Sequence, residues 1–216
     1  MVLHVTNQAI TFAAGFVTKN FKFFIMKKFA LVLVAGISLV SAKAQIQFGV
    51  KAGANFATIT SSDGAKSLVS FNGGALVKIP LADALSLQPE VVYSGQGAKF
   101  DGGSDHLNYL NIPILPTYTL PVGVFFQTGP QIGFLLSAKE KVSGQSDVDI
   151  KSQLKSTDFS WAFGAGYLVT SANIGFNVRY NLGLTKLADG TSSKNGVFQV
   201  GVFYLFGDSK STSNKK

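Results

Sequence analysis

The chain has 216 residues, 46% of them hydrophobic and only 14% charged, with a formal net charge of +8 and no cysteine. That length and composition exclude a peptide-like module and suit one domain with no disulfides, held by hydrogen-bonded sheet and packing. The charge suggests an acidic partner at first, but five of the nineteen basic residues (Lys19, Lys22, Lys27, Lys28, Lys43) precede the cleavage point identified below, where there are no acids. Fourteen basic and eleven acidic residues then remain, a net +3. No lysine-arginine stripe or aromatic-basic motif is left, so nucleic acid drops out as a partner.

Residues 1–25 contain no acid, two lysines and many apolar side chains, and they precede a methionine that opens a self-sufficient export signal. They read as a start assigned too far upstream, or as an N-terminal extension. Met26-Lys27-Lys28 is a basic n-region, Phe29 to Val40 a short apolar h-region, and Ser41-Ala42-Lys43-Ala44 an Ala-x-Ala box. Together they predict a signal peptide over residues 26–44, cut before Gln45. The h-region is too short for a transmembrane helix, and no run of eighteen apolar residues occurs elsewhere.

Beyond the cleavage point, apolar alternation between turn signals predicts eight strands: Gln45 to Thr58, Ser70 to Ile79, Leu85 to Gly97, Leu107 to Leu120, Gly123 to Ala138, Asp158 to Leu168, Ile174 to Leu184 and Gly196 to Phe206. The clearest is Ile174-Gly-Phe-Asn-Val-Arg-Tyr-Asn-Leu-Gly-Leu184, with every large apolar side chain on one face and Gly175, Asn177, Arg179, Asn181 and Gly183 on the other. Strands of ten to sixteen residues exceed those of soluble sheets and match what a tilted strand needs to cross a bilayer. The connections Pro80 to Ala84, Pro121-Val122 and Val169 to Asn173 are short. Ile59 to Val69, Ala98 to His106, Lys139 to Thr157 and Thr185 to Asn195 read as long polar loops. That sorting is typical of outer-membrane barrels, with tight periplasmic turns and longer external loops.

An outward-facing register puts Phe48, Tyr118, Phe126, Tyr167, Phe176, Tyr204 and Phe206 at one end of the wall. Phe56, Phe71, Tyr93, Phe134, Phe159, Trp161 and Phe198 fall at the other, as two interfacial belts. The opposite face is polar, small and glycine-rich, and in an eight-stranded barrel such an interior is filled by side chains. Lys51, Lys78, Glu90 and Arg179 are the charges placed inside. Lys78 and Glu90 lie on neighbouring strands and are expected to pair. Pro89, Pro113, Pro116 and Pro130 fall within strands and are expected to sit at bulges, giving one irregular wall sector that could contact a partner.

The last strand, Gln199-Val-Gly-Val-Phe-Tyr-Leu-Phe206, has the order polar-x-Gly-x-x-aromatic-x-aromatic. It resembles the terminal signal read by the barrel-assembly machinery, with Gln199, Gly201, Tyr204 and Phe206 at the matching positions. The tail Gly207 to Lys216 continues past the aromatic that often ends such chains, and its polar, basic composition reads as disordered.

The whole exported chain is similar to the small outer-membrane β-barrel proteins of Bacteroidota, the porin-family or PorT-like group. The resemblance lies in Phe48-Gly-Val-Lys-Ala-Gly-Ala-Asn-Phe56, Leu87-Gln-Pro-Glu-Val-Val-Tyr-Ser-Gly-Gln-Gly-Ala98, Leu107-Asn-Tyr-Leu-Asn-Ile-Pro-Ile114 and Gly129-Pro-Gln-Ile-Gly-Phe134. It continues in Gly164-Ala-Gly-Tyr167 and Arg179-Tyr-Asn-Leu-Gly-Leu184. The resemblance implies the barrel and its membrane and carries no particular activity, since no motif here identifies a secretion role.

Chemistry is sparse. His106 is the one histidine beyond the signal, and with Ser104 and Asp105 adjacent to it in sequence the three cannot form a catalytic triad with one another. Gly164-Ala-Gly166 and Gly95-Gln-Gly97 are strand glycines, because neither opens a helix. Asp147 and Asp149 lack calcium-loop spacing. No catalytic, cofactor or metal residues are expected.

The sequence thus predicts an all-β, eight-stranded antiparallel up-and-down transmembrane barrel over residues 45–206, with a periplasmic tail over 207–216. Its expected partners are outer-membrane lipid, the assembly machinery, and a protein met at the external loops or the proline-bearing wall. The function expected is structural or interactive, with a filled interior. The alternatives are a soluble periplasmic barrel holding a ligand, with the alternation inverted, and a passive porin or secretion accessory.

Overall fold

The computed structural model describes residues 46–60, 66–142, 144 and 146–207; the signal segment, its cleavage point and the tail from residue 208 lie outside the described residues. Eight long strands form the wall: β1 (Gln47–Thr60), β2 (Lys66–Pro80), β3 (Leu85–Phe100), β4 (Gly103–Thr119), β5 (Val124–Val142), β7 (Thr157–Val169), β8 (Ile174–Gly183) and β9 (Lys194–Phe206). A two-residue strand, β6 (Val148–Asp149), and a 3-10 turn at Lys151–Gln153 lie between β5 and β7. Every wall strand pairs antiparallel with its neighbours, and β9 returns to β1 over Phe48 to Thr60, so the sheet closes on itself. Closure leaves no unpaired edge to template aggregation.

The faces sort as the alternation requires. On β8, Phe176, Val178 and Tyr180 are exposed while Asn177, Arg179 and Asn181 are buried. The two expected belts face outward, with Phe48, Tyr118, Phe126, Tyr167, Phe176, Tyr204 and Phe206 at the turn end, and Phe56, Phe71, Phe134, Phe159, Trp161 and Phe198 at the loop end, all exposed. Tyr93 is partly covered by Phe71, whose ring stacks on it at 5.3 Å. The inverted alternation of a soluble ligand-binding barrel does not occur.

The turn end is tight. Leu120 N–H donates to the Val124 carbonyl at 2.7 Å, and Gly123 takes φ +93, a conformation that needs no Cβ. At the opposite end the predicted second loop is absent: β3 and β4 continue to a hairpin turn at Asp101-Gly102, where Gly102 has φ +91. The Asp-Gly pair is a short-range hairpin signal, and it overrides the polar composition that reads as a loop.

The prolines do not sit at register shifts. The shifts lie between Ser67 and Asn72 on β2 and at Asn108/Tyr109 on β4. The β4–β5 ladder is interrupted between Pro113 and Thr117 and resumes in the same register. A missing donor therefore costs ladder bonds without inserting a residue.

The interior is not uniformly polar. An apolar cluster of Leu76, Phe125, Leu168, Phe203 and Leu205 fills the turn end, and a second of Ile59, Ala98, Leu107, Tyr109, Leu135, Ala138 and Leu187 fills the loop end. Glycine makes the first possible. Phe203 lies opposite Gly175 on β8, Phe125 opposite Gly166 on β7, and a Cβ at either glycine would collide with the facing ring. The two rings then meet edge to face at 5.9 Å across the lumen. Gly175→Ala is expected to lower stability by about 1–3 kcal/mol through overpacking, read as earlier loss of the folded band when samples are heated before a detergent gel. Adding Phe203→Leu should recover part of it.

Candidate functional site: the charged layer across the lumen

Between the two apolar clusters, β1, β3 and β8 each bring an ionisable side chain to the barrel axis. Lys51 Nζ lies 2.9 Å from Glu90 Oε2, and Arg179 grips the same carboxylate with two bonds, Nη1 to Oε2 at 2.9 Å and Nη2 to Oε1 at 2.8 Å. The side chains of Lys51, Glu90 and Arg179 are 3%, 0% and 2% exposed, so the three charges are sealed from solvent. Gln88 Nε2 donates to Glu90 Oε1 at 2.8 Å. The Gln127 carboxamide, oriented with its oxygen toward the guanidinium, accepts from Arg179 Nη2 at 3.0 Å and Nε at 3.2 Å. The carboxylate thus receives four donors, the combination that makes a buried charge tolerable.

The expected Lys78–Glu90 pair does not form. Lys78 lies opposite Gln47 on β1, whereas Glu90 lies opposite Leu76 on β2, so Leu76 occupies the position nearest the carboxylate and Lys78 falls toward the turn end. Lys51 stands opposite Gly74, which has no side chain to block its reach over β2 to β3. Lys78 instead lines a half-open recess at the turn-end mouth with Gln47, Ser86, Thr119 and Leu168.

Toward the loop end, an amide layer follows. Asn55 is fully buried; its Nδ2 donates to Ser94 Oγ at 2.9 Å and to the Gly95 carbonyl at 2.7 Å. Its Oδ1 accepts from Asn72 at 2.6 Å and from Gln199 at 2.9 Å. Gln199 lies directly opposite Asn55 where β9 meets β1, so this bond bridges the closing seam. Of the terminal-strand positions, Gln199 and Gly201 share the inner face, while Tyr204 and Phe206 are exposed and pack edge to face at 5.4 Å.

The loop-end cap was not apparent from composition. Leu187, from the β8–β9 connection, is buried, and Ile150 and Leu154, from the β5–β7 connection, pack against the same cluster. Lys155 N–H donates to the Leu187 carbonyl at 2.8 Å, tying the two connections together. Lys155 also pairs with Asp189 at 2.8 Å, and that hydrogen bond holds the exposed Asp189 carboxyl below the usual carboxylate range. The sequence signal was weak, because Ile150, Leu154 and Leu187 lie among polar residues together with other apolar ones, such as the exposed Val148, that do not join the cluster.

Ser104 Oγ lies 3.0 Å from His106 Nε2. Strand alternation puts Asp105 on the other face, opposite Ala98 and Glu140, so the three residues make no triad. Among the described residues no group of three or more His, Asp or Glu is placed to hold a metal.

Residues 41–189 match the family model for the outer membrane protein beta-barrel domain. No curated protein matches the chain. Among solved structures, Neisserial surface protein A is 20% identical, with 74% of this chain and 97% of that one covered and a TM-score of 0.50. Ail, the attachment invasion locus protein of Yersinia pestis, is 18% identical over 74% of this chain and 98% of its own, with a TM-score of 0.45. The N-terminal β-barrel domain of Pseudomonas aeruginosa OprF is 15% identical over 75% and 100%, with a TM-score of 0.37. At such identities the likeness to the Neisserial protein speaks for the fold alone.

Proposed function

This chain belongs to the outer membrane protein beta-barrel domain family, and we propose that within the outer membrane it is a closed scaffold that presents an anchored loop surface to a partner. The observation that carries this reading is the occlusion of the lumen at three successive levels: the apolar turn-end cluster, the Lys51–Glu90–Arg179 layer and the apolar loop-end cap. A diffusion pore needs a continuous wet path, and apolar layers on either side of a buried ion cluster argue against one. The cap supports the second half of the proposal, because loops bonded to each other and to a buried cluster hold a fixed shape, which lowers the entropy cost of binding.

In this reading the short turns face the periplasm and the β5–β7 and β8–β9 connections face outward. The signal over residues 26–44 is removed before Gln45, and Gln199, Gly201, Tyr204 and Phe206 are read during assembly. Purified protein in planar lipid bilayers should give no stable conductance steps. Reproducible single-channel openings would sink the closed-scaffold reading and favour a passive porin. Photo-crosslinkers at exposed Ser152 or Ser192 in intact cells should capture a discrete species that a crosslinker at the turn-end Ala82 does not.

A further inference from the structure

The loop-end segments of β2, β3, β4 and β5 run past the apolar wall and carry their charges on opposite faces. Lys66 lies opposite Lys99, Lys99 opposite Ser104, and Ser104 opposite Lys141. Residues opposed in antiparallel strands project on the same side, so one row crosses four strands, and Lys139, opposite His106, adds a second step on that side. The side is outward: Lys66, Lys99, Lys139 and Lys141 are exposed, while Ala98 and Ala138 on the other side of the same segments are buried. Of the acids in the same segments, Asp105 lies opposite Glu140 on one flank and opposite Ala98, which is buried, on the other. The ribbon therefore separates its charges, with acids toward the axis and lysines toward the surroundings.

We propose that this outward lysine face is a binding site for the phosphate-bearing headgroup of an anionic lipid in the adjacent leaflet. The position selects the occupant. The face is continuous with the lipid-exposed wall directly below it, at the height where a bilayer turns from hydrocarbon to headgroup. A cavity of about 510 Å³ opens there, and its lining brings Lys99, Ser104 and Lys141 together with one acid, Asp147. Three carboxylates offset the four lysines only in part, and one of them, Asp149, opposite Lys139 on β6, accepts from the Lys151 N–H at 2.8 Å. Lys66 is held by Asp101 at 2.7 Å, but Asp147 stands 3.8 Å from both Lys139 and Lys141 and so serves two cations at long range, and Lys99 has no acid partner among the described residues. The matching loop-end strand segments of β7, β8, β9 and β1 carry one lysine, Lys194. The patch belongs to one sector, and it holds whether or not the loops carry a partner.

The test uses the full barrel refolded in vesicles of equal phosphatidylcholine and phosphatidylglycerol, with retained lipid counted by native mass spectrometry. The wild type should retain phosphatidylglycerol preferentially, and Lys99→Gln/Lys139→Gln/Lys141→Gln should lose that preference by about tenfold, since each lysine near an anionic surface contributes appreciably. Lys155→Gln/Lys186→Gln, in the loops, is the charge control and should keep it. Heat-modified gel mobility confirms that all three proteins are folded. Equal retention of both lipids by the wild type, or equal loss in the control, overturns the proposal. Displacement of the lipid by excess inorganic phosphate would assign the site to free phosphate. Charge-dependent binding of soluble dextran sulfate without lipid preference would assign it to a soluble polyanion. Either result also overturns it.

Discussion

Glu90→Gln is expected to cost the barrel about 3–5 kcal/mol, the range for removing one partner of a buried ion cluster. The substitution keeps volume and shape, so no cavity forms and the loss is electrostatic. Two cations, Lys51 and Arg179, would then face one another with no anion, each almost wholly removed from solvent. The measurement is a urea titration of protein refolded in lipid vesicles, followed through Trp161, which is the single tryptophan and lies on the lipid-facing wall. Lys51→Met combined with Glu90→Gln should recover part of the loss, because one unpaired cation then remains instead of two. Lys78→Met provides the contrast: Lys78 forms no ion pair among the described residues and borders the turn-end mouth, so its removal should change stability by less than about 1 kcal/mol. A Glu90→Gln loss below that of Lys78→Met would mean the cluster is hydrated and the lumen is not closed at this level.

What the sequence carried plainly was everything that depends on parity. Phe176, Val178 and Tyr180 outward with Asn177, Arg179 and Asn181 inward follow from period two alone, and the same rule places both aromatic belts. Parity also puts Leu76, Phe125, Phe203 and Leu205 on the inner face, yet a strand that is apolar on both faces hides which apolar residues are internal. The turn-end cluster was therefore missed. The partner of Glu90 was missed for a different reason. Adjacency of β2 and β3 was legible, but the register was not, and a two-residue offset put Leu76 where Lys78 was expected. Only the register puts Gly74, rather than a side chain, between Lys51 and the third strand. The second loop failed on composition: Asp101, Ser104, Asp105 and His106 are polar because the ribbon stands clear of the bilayer's hydrocarbon, not because the chain is irregular there.

Val178→Arg is expected to cost about 2–4 kcal/mol, the depth-dependent penalty for a cation on the lipid face near the bilayer midplane. Val178 stands in the middle of β8, 44% exposed on the outer wall, with the exposed Phe176 and Tyr180 on either side and Val200 opposite on β9. An arginine there has about as far to reach to one interface as to the other, so snorkelling offers little relief. The neighbouring residue provides the comparison. Asn177 faces the lumen opposite Gly201, so Asn177→Ser leaves the lipid face unchanged and should cost less than about 1 kcal/mol. Urea titrations in vesicles of the two variants, with the yield of the heat-modifiable band during refolding as a second readout, separate the faces. Equal tolerance at the two positions would mean that the apolar side of β8 does not meet lipid, and the orientation of the whole wall would have to be reversed.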